Sequence, residues 1–199
     1  MSGDTHAAVG ATSALLVTQP TTLLEAAISI GFGMLGGLLI DIDTKQSKGA
    51  KLGRIIMIPF FCYVVVGLYL FVRWNKNYLF LVTSQLETKT LIAILMIGAL
   101  YLYGYHTPHR KFTHSIEFIG MTGILYYMAG FQFTLPLLVG KISHVLIDLL
   151  NKTSVRLSCI FQFDFCIGLV SSDGICNRIL KVLAIIISVI ILFLYFIQW

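Results

Sequence analysis

The sequence predicts an all-α fold, a polytopic bundle of transmembrane helices whose first member is short or re-entrant. Two features of composition carry that prediction. Of 199 residues, 57% are hydrophobic and only 12% charged, more apolar surface than one soluble core of this size can bury. Apolar runs of about 17 to 20 residues also recur along the chain, and each is long enough to cross a hydrocarbon core at ~1.5 Å per residue. The runs follow one another without a long polar linker, so residues 1–199 read as a single integral membrane domain.

Taken in order, the first helix covers about residues 7–18, too short for a full crossing, and Thr18-Gln19-Pro20-Thr21 breaks it. The second runs from about Leu23 to Ile40 and stops at Asp41. Gly33 and Gly37 on it, with Gly10 and Ala14 on the first, offer the small faces that let two helices pack closely in a membrane. Further spans are expected at about Ile55–Val72, Tyr78–Tyr105 with a break near Thr83–Thr90, Ser115–Phe131, Leu135–Leu150 and Ile179–Ile197, about seven helices in all. Residues 156–170 are aromatic and apolar without helical period and read as an interfacial connector. Cys62, Cys159, Cys166 and Cys176 form no C-x-x-C pair and read as free thiols. The amino-terminal residues lack a positive leader and a cleavage site, so His6 is expected in the mature chain.

The net charge of +5 is a topology signal. Its lysines and arginines are dispersed through loops instead of lying on one basic stripe, which excludes a nucleic-acid partner. Lys45, Lys48, Lys51, Arg54, Arg110, Lys111, Lys152, Arg156, Arg178 and Lys181 fall on one side when the spans alternate, whereas Arg73, Lys76 and Lys89 fall on the other. The first side is therefore expected to be cytoplasmic in a cell (inner) membrane, with the N-terminus inside and Trp199 outside.

The same alternation brings all five histidines, His6, His106, His109, His114 and His144, with Asp41, Asp43 and Asp148, to the cytoplasmic helix ends. Acidic groups at membrane helices are costly unless paired or functional. His144 and Asp148 are four residues apart on one helix face, within reach of a single cation. Asp41 and Asp43 flank a helix end, where irregular backbone can turn both carboxylates inward. Pro108 ends one helix and Thr113 is expected to N-cap the next, which places His114 in its first turn, where the dipole and Arg110 favour an anion. His106 is the weakest candidate, because it follows a tyrosine-rich helix end. Glu25 and Lys141 lie within spans, and pairing, snorkelling or a functional role are all open to them.

Thr5-His6, Asp41-Ile42-Asp43, His109-Arg110 with Thr113-His114-Ser115, and Ser143-His144 with Asp148-Leu149 occur in an order that resembles the YdjM-like family of predicted membrane-bound metal-dependent hydrolases. Val155-Arg156-Leu157 and Ser171-Ser172-Asp173-Gly174 extend the resemblance towards Lys181. The chain departs from the family pattern at Ile40, Lys111 and Asn177, where proline, glycine and glutamate are usual. None of these departures touches the ligands that the resemblance implies.

The expected function is a membrane-embedded hydrolase acting on an ester or phosphoester of a lipid or lipid-linked substrate at the cytoplasmic face. Metal ligands are expected at His6, Asp41, Asp43, His114, His144 and Asp148, catalytic proton transfer at His109 and Asp43, and substrate contacts at Arg110 and Ser115. The mixed donors suit Zn²⁺, with Mn²⁺ or Fe²⁺ accommodated, as one or two ions. The alternative is a divalent-cation or proton-coupled transporter, whose ionisable groups belong nearer the bilayer midplane.

Overall fold

The computed structural model describes residues 1–55, 87–172 and 174–197. Most of the expected third span, the stretch from Tyr78 to Leu86, the loop charges Arg73 and Lys76, Cys62, Asp173 and Trp199 lie outside these residues.

The architecture is all-α with one small hairpin. In chain order the helices are α1 (Gly3–Thr18), α2 (Leu23–Leu39), α3 (Thr88–Tyr105), α4 (Ile116–Met128), α5 (Thr134–Leu149) and α6 (Ile175–Ile197). A 3-10 turn, Ile40–Asp43, continues α2, and residues 48–55 are also helical. Leu23–Asp43, Thr88–Tyr105 and Ile175–Tyr195 are each long and apolar enough to cross a membrane. Exposed Ile179, Val182, Ile186 and Phe193 on α6 fit a hydrocarbon surround.

Two helix starts differ from expectation. α1 begins at Gly3, so its 16 residues reach ~24 Å and His6 sits inside the helix instead of ahead of it. At α4 the N-cap is Ser115, whose hydroxyl accepts from Phe118 N at 3.2 Å, and His114 precedes the helix. Thr113 is drawn elsewhere: its hydroxyl donates to Asp43 at 2.7 Å.

Small residues set the packing of α1, α2 and α5. A Cβ on Gly33 would overlap the carbonyl of Gly10 and come within 2.6 Å of Ala14, so these two helices meet backbone to backbone. A Cβ on Gly37 would strike the carbonyl of His6. Residues 155–165, part of the expected connector, form an antiparallel hairpin of β1 (Val155–Ser158) and β2 (Phe163–Phe165) with a register shift between Arg156 and Ser158. Glu117 anchors its turn by accepting from Ser158 Oγ and from Cys159 N. Arg156 N donates to Arg110 O at 2.9 Å, which ties β1 to the loop before α4. Phe161 and Ile160 at the turn are exposed.

Glu25 and Lys141 do not meet. Glu25 lies in the exposed first turn of α2 and accepts from Thr21 N and Oγ1, while Thr22 accepts from Glu25 N, a local cap. Lys141 is fully buried between α3, α4 and α5. Its ammonium donates to Thr122 Oγ1 at 2.7 Å and stands 5.0, 5.0 and 4.9 Å from the ring centres of Tyr101, Phe118 and Tyr126. The two tyrosine hydroxyls bond each other at 2.8 Å. Cations are attracted to aromatic faces, so this is a satisfied cage.

Candidate metal centre

One end of the bundle collects the start of α1, the end of α2, the loop between α3 and α4, and the end of α5. Convergence there follows from antiparallel neighbours: the α1–α2 turn returns the chain, and α5 packs against both. His6, His114, His144 and Asp148 are buried there, and Asp41 is nearly so.

The hydrogen bonds behind these side chains determine which atoms face inward. His144 Nδ1 lies 2.6 Å from the carbonyl of Gly37, an acceptor only, so Nδ1 carries a proton and, in the neutral ring, Nε2 presents its lone pair. Thr113 spends its own proton on Asp43, so its oxygen, 3.0 Å from His114 Nδ1, accepts from that ring. His114 Nε2 is then also a lone pair. Burial pushes the His114 ring below its ordinary pKa and reinforces the neutral form.

These lone pairs converge on carboxylate oxygens. His144 Nε2 is 3.4 Å and His114 Nε2 3.5 Å from Asp41 Oδ1, and both are 3.8 Å from Asp148 Oδ2. His6 stacks on His144, with ring centres 3.5 Å apart and planes 12° from parallel, and its Nε2 is 3.3 Å from Asp148 Oδ1. Asp41 Oδ1 and the Nε2 atoms of His6, His114 and His144 are buried without a hydrogen-bond partner. The lone pairs of His114 and His144 and the Asp41 oxygen are acceptors that repel at this distance unless something positive lies between them, whereas neither ring nitrogen of His6 has a partner that fixes its proton. Donor atoms around a tetrahedral zinc with bonds of ~2.0–2.1 Å stand roughly 3.3–3.4 Å apart, close to the spacings found here. The residues present therefore fit a divalent cation held by imidazole and carboxylate.

Asp43 sits one layer out. Its oxygens accept from His109 Nδ1 at 2.8 Å, Arg110 N at 3.1 Å and Thr113 Oγ1 at 2.7 Å. His109 is 42% exposed, and its Nδ1 also lies 2.8 Å from Thr44 Oγ1 and 4.0 Å from Asp41 Oδ1. Asp43, His109 and His114 form a third grouping with spacing suited to a cation, beside His6, His144 and Asp148 and beside Asp41, His114 and His144. Arg110, in left-handed backbone at φ 63°, places its guanidinium 3.3 Å from Asp148 Oδ2 and donates to Thr153 O at 3.0 Å, while its buried Nε has no partner. Ser115 is occupied as the cap of α4 and donates to Phe112 O. His106 is exposed beyond the end of α3 and outside the cluster.

Two neighbours of Asp148, the Asn177 tie and the hairpin escaped sequence reasoning. The Met1 amine and Asn151 Nδ2 lie 2.8 and 2.7 Å from Asp148 Oδ1. Asn177 accepts from Ser2 N at 3.3 Å and joins α6 to α1. Lys111 and Arg156 bind Asp164 on β2, and the Arg156 guanidinium, with Lys111 beside it, holds that carboxyl well below the usual carboxylate range. Cys159, Cys166 and Cys176 are free thiols.

No curated protein matches the chain, and no solved structure does. The profile of the family described as YdjM inner membrane protein matches residues 1–199. The match spans every element that builds the donor cluster, and the chain is a member of the YdjM inner membrane protein family.

Proposed function

We propose that the protein is a membrane-embedded, metal-dependent hydrolase acting on an ester or phosphoester of a lipid or lipid-linked substrate. The observation that carries this reading is the set of four buried atoms, on His6, Asp41, His114 and His144, left without hydrogen-bond partners in two groupings that share His144, one with His6 and Asp148 and one with Asp41 and His114, each spaced to suit a cation. His6, Asp41, His114, His144 and Asp148 would hold the cation. Zn²⁺ suits three imidazoles best, while five donors also accommodate Mn²⁺ or Fe²⁺. A second ion would draw on Asp43 and His109. The cation supplies Lewis acidity and a water made acidic enough to react near neutral pH.

The remaining roles belong to the chain itself. Asp43 orients His109 through Nδ1 and leaves the ring's other nitrogen free to take or give a proton at the exposed side of the site. With its carboxylate already accepting three hydrogen bonds, Asp43 serves better there than as a first ligand. Arg110 offers its unpartnered Nε–H to an anionic group. Ser115 holds the start of α4 in place beside them. The loops that carry Lys48, Lys111 and Lys152 share the end of the bundle that carries the site, which supports a cytoplasmic location for it and for the N-terminus, with Trp199 outside. The apolar hairpin turn at the same end supports a substrate that resides in the bilayer.

Elemental analysis of detergent-purified protein, followed by a screen of lipid phosphoesters, tests the proposal. Stoichiometric metal with hydrolysis lost in His109→Ala is expected. Absence of bound metal would overturn it, and metal with cation flux in liposomes but no hydrolysis would replace it by a transporter. Arg110→Ala should raise KM for an anionic substrate while metal content stays near wild type.

A further inference from the structure

We infer that Asn151 is a positioning residue of the metal centre, acting through Asp148. The inference rests on the reading of the donor cluster as a cation site. Asn151 follows the last turn of α5 and is 1% exposed. Its side-chain Nδ2 donates to Asp148 Oδ1 at 2.7 Å, and its backbone N donates to Asp148 O at 3.1 Å. The side-chain bond grips the carboxylate from behind, on the oxygen turned towards His6 and the Met1 amine. The opposite oxygen, Oδ2, is thereby aimed at the Nε2 atoms of His114 and His144.

Asn151 is itself held from outside the helix. Its carbonyl accepts from Gly168 N at 3.2 Å, where Gly168 adopts a φ of 76°, and Val170 N donates to Leu150 O at 2.9 Å beside it. The segment after the hairpin therefore fixes the backbone that carries the amide. The Asn151 amide, with the Met1 amine on the same oxygen and the Arg110 guanidinium 3.3 Å from the other, limits rotation of the Asp148 carboxylate about its last bond. Groups standing behind metal ligands in this way typically contribute about 10- to 100-fold to metal affinity.

The test measures Zn²⁺ and Co²⁺ affinity by chelator competition for wild type, Asn151→Leu, Asp148→Ala and the double variant, with helical content and apo-protein unfolding temperature as folding controls. Leucine keeps the volume and removes the donor. Asn151→Leu is expected to weaken metal binding about 10- to 100-fold, to change the visible spectrum of the Co²⁺ form as the carboxylate turns, and to have little further effect once Asp148 is alanine. Unchanged affinity in Asn151→Leu, or an equal loss in both backgrounds, overturns the role. If the leucine variant does not fold, Asn151→Ala makes the same comparison. Failure of wild-type protein to bind either ion would instead remove the cation site, a result distinct from an Asn151 variant that binds normally.

Discussion

Two buried polar clusters share helix α5, and they differ in how their hydrogen bonds close. Around Lys141 the donor has acceptors: a threonine oxygen and three aromatic faces surround one ammonium. One and two turns further on, His144 and Asp148 join a cluster in which the Nε2 atoms of His114 and His144 face Asp41 Oδ1 with no hydrogen-bond partner. Burying a polar group without a partner costs a few kcal/mol, so a native bundle seldom keeps four such atoms together without a further occupant. Closure marks the first cluster as structure. The open valences of the second mark it as a place for a ligand.

The largest expected difference lies in metal binding. His144→Ala and Asp148→Ala should each weaken Zn²⁺ affinity by more than about 100-fold, beyond the range for an outer group, while membrane insertion persists on apolar length. Lys141→Ala should leave that affinity near wild type. Equal metal loss in both places, measured by elemental analysis after dialysis, would break the contrast.

Stability should show the reverse pattern. Cutting Lys141 to alanine opens a cavity among Tyr101, Phe118 and Tyr126, and a loss of about 2–4 kcal/mol is expected by denaturation in detergent. Lys141→Met fills the same space and should stay within about 1.5 kcal/mol of wild type. Thr122 keeps its bond to Phe118 O in both variants. A larger loss in the methionine variant would show that the charge, not the volume, holds the three helices.

Acidification should sharpen the distinction further. His114 binds a proton less readily folded than unfolded, because burial lowers its pKa. Its contribution to stability is thus intact above the unfolded value of about 6.5 and is lost as pH falls from there towards the folded value. Unfolding temperature of metal-free wild type should drop across that window, and the drop should shrink in His114→Gln. Metal affinity should decline in the same direction, since protons compete for the ligands.

The smallest effect belongs to the hairpin. Asp164 titrates lower folded than unfolded, held by Arg156 and then Lys111, so its ion pairs act above about pH 3.9 and fade as pH falls through the folded value. The pair is exposed and screened, so Asp164→Asn should shift unfolding only slightly at pH 6, and the shift should vanish at strongly acid pH.

The sequence made the apolar helices legible because their signal is local: length, hydropathy and the Thr18–Thr21 break. It also made the donor set legible, since His144 and Asp148 share a helix face and charge alternation sends the others to one end. What it concealed depends on partners distant in the chain. Thr113 and Ser115 are equally able to cap a helix, and the choice is made by Asp43, 70 residues before Thr113. The hairpin strands are four and three residues long and do alternate apolar with polar side chains, but over a stretch too short for a period of two to stand out. Gly3-Asp4-Thr5-His6 is too polar to read as part of a span, yet these residues extend α1. Asn151 looks like an ordinary helix end until Asp148 is seen beside it.

Gly37 has a further consequence, for biogenesis. It carries the backbone of His6 on one side and fixes the proton of His144 on the other. The three residues lie on three helices and meet only where α1, α2 and α5 pack together. The donor cluster is therefore complete only after lateral association of these helices. A nascent chain stalled before α5 would hold His6, Asp41 and His114 but lack His144 and Asp148. A cation held as proposed would thus be a late addition in assembly, acquired by an already docked bundle.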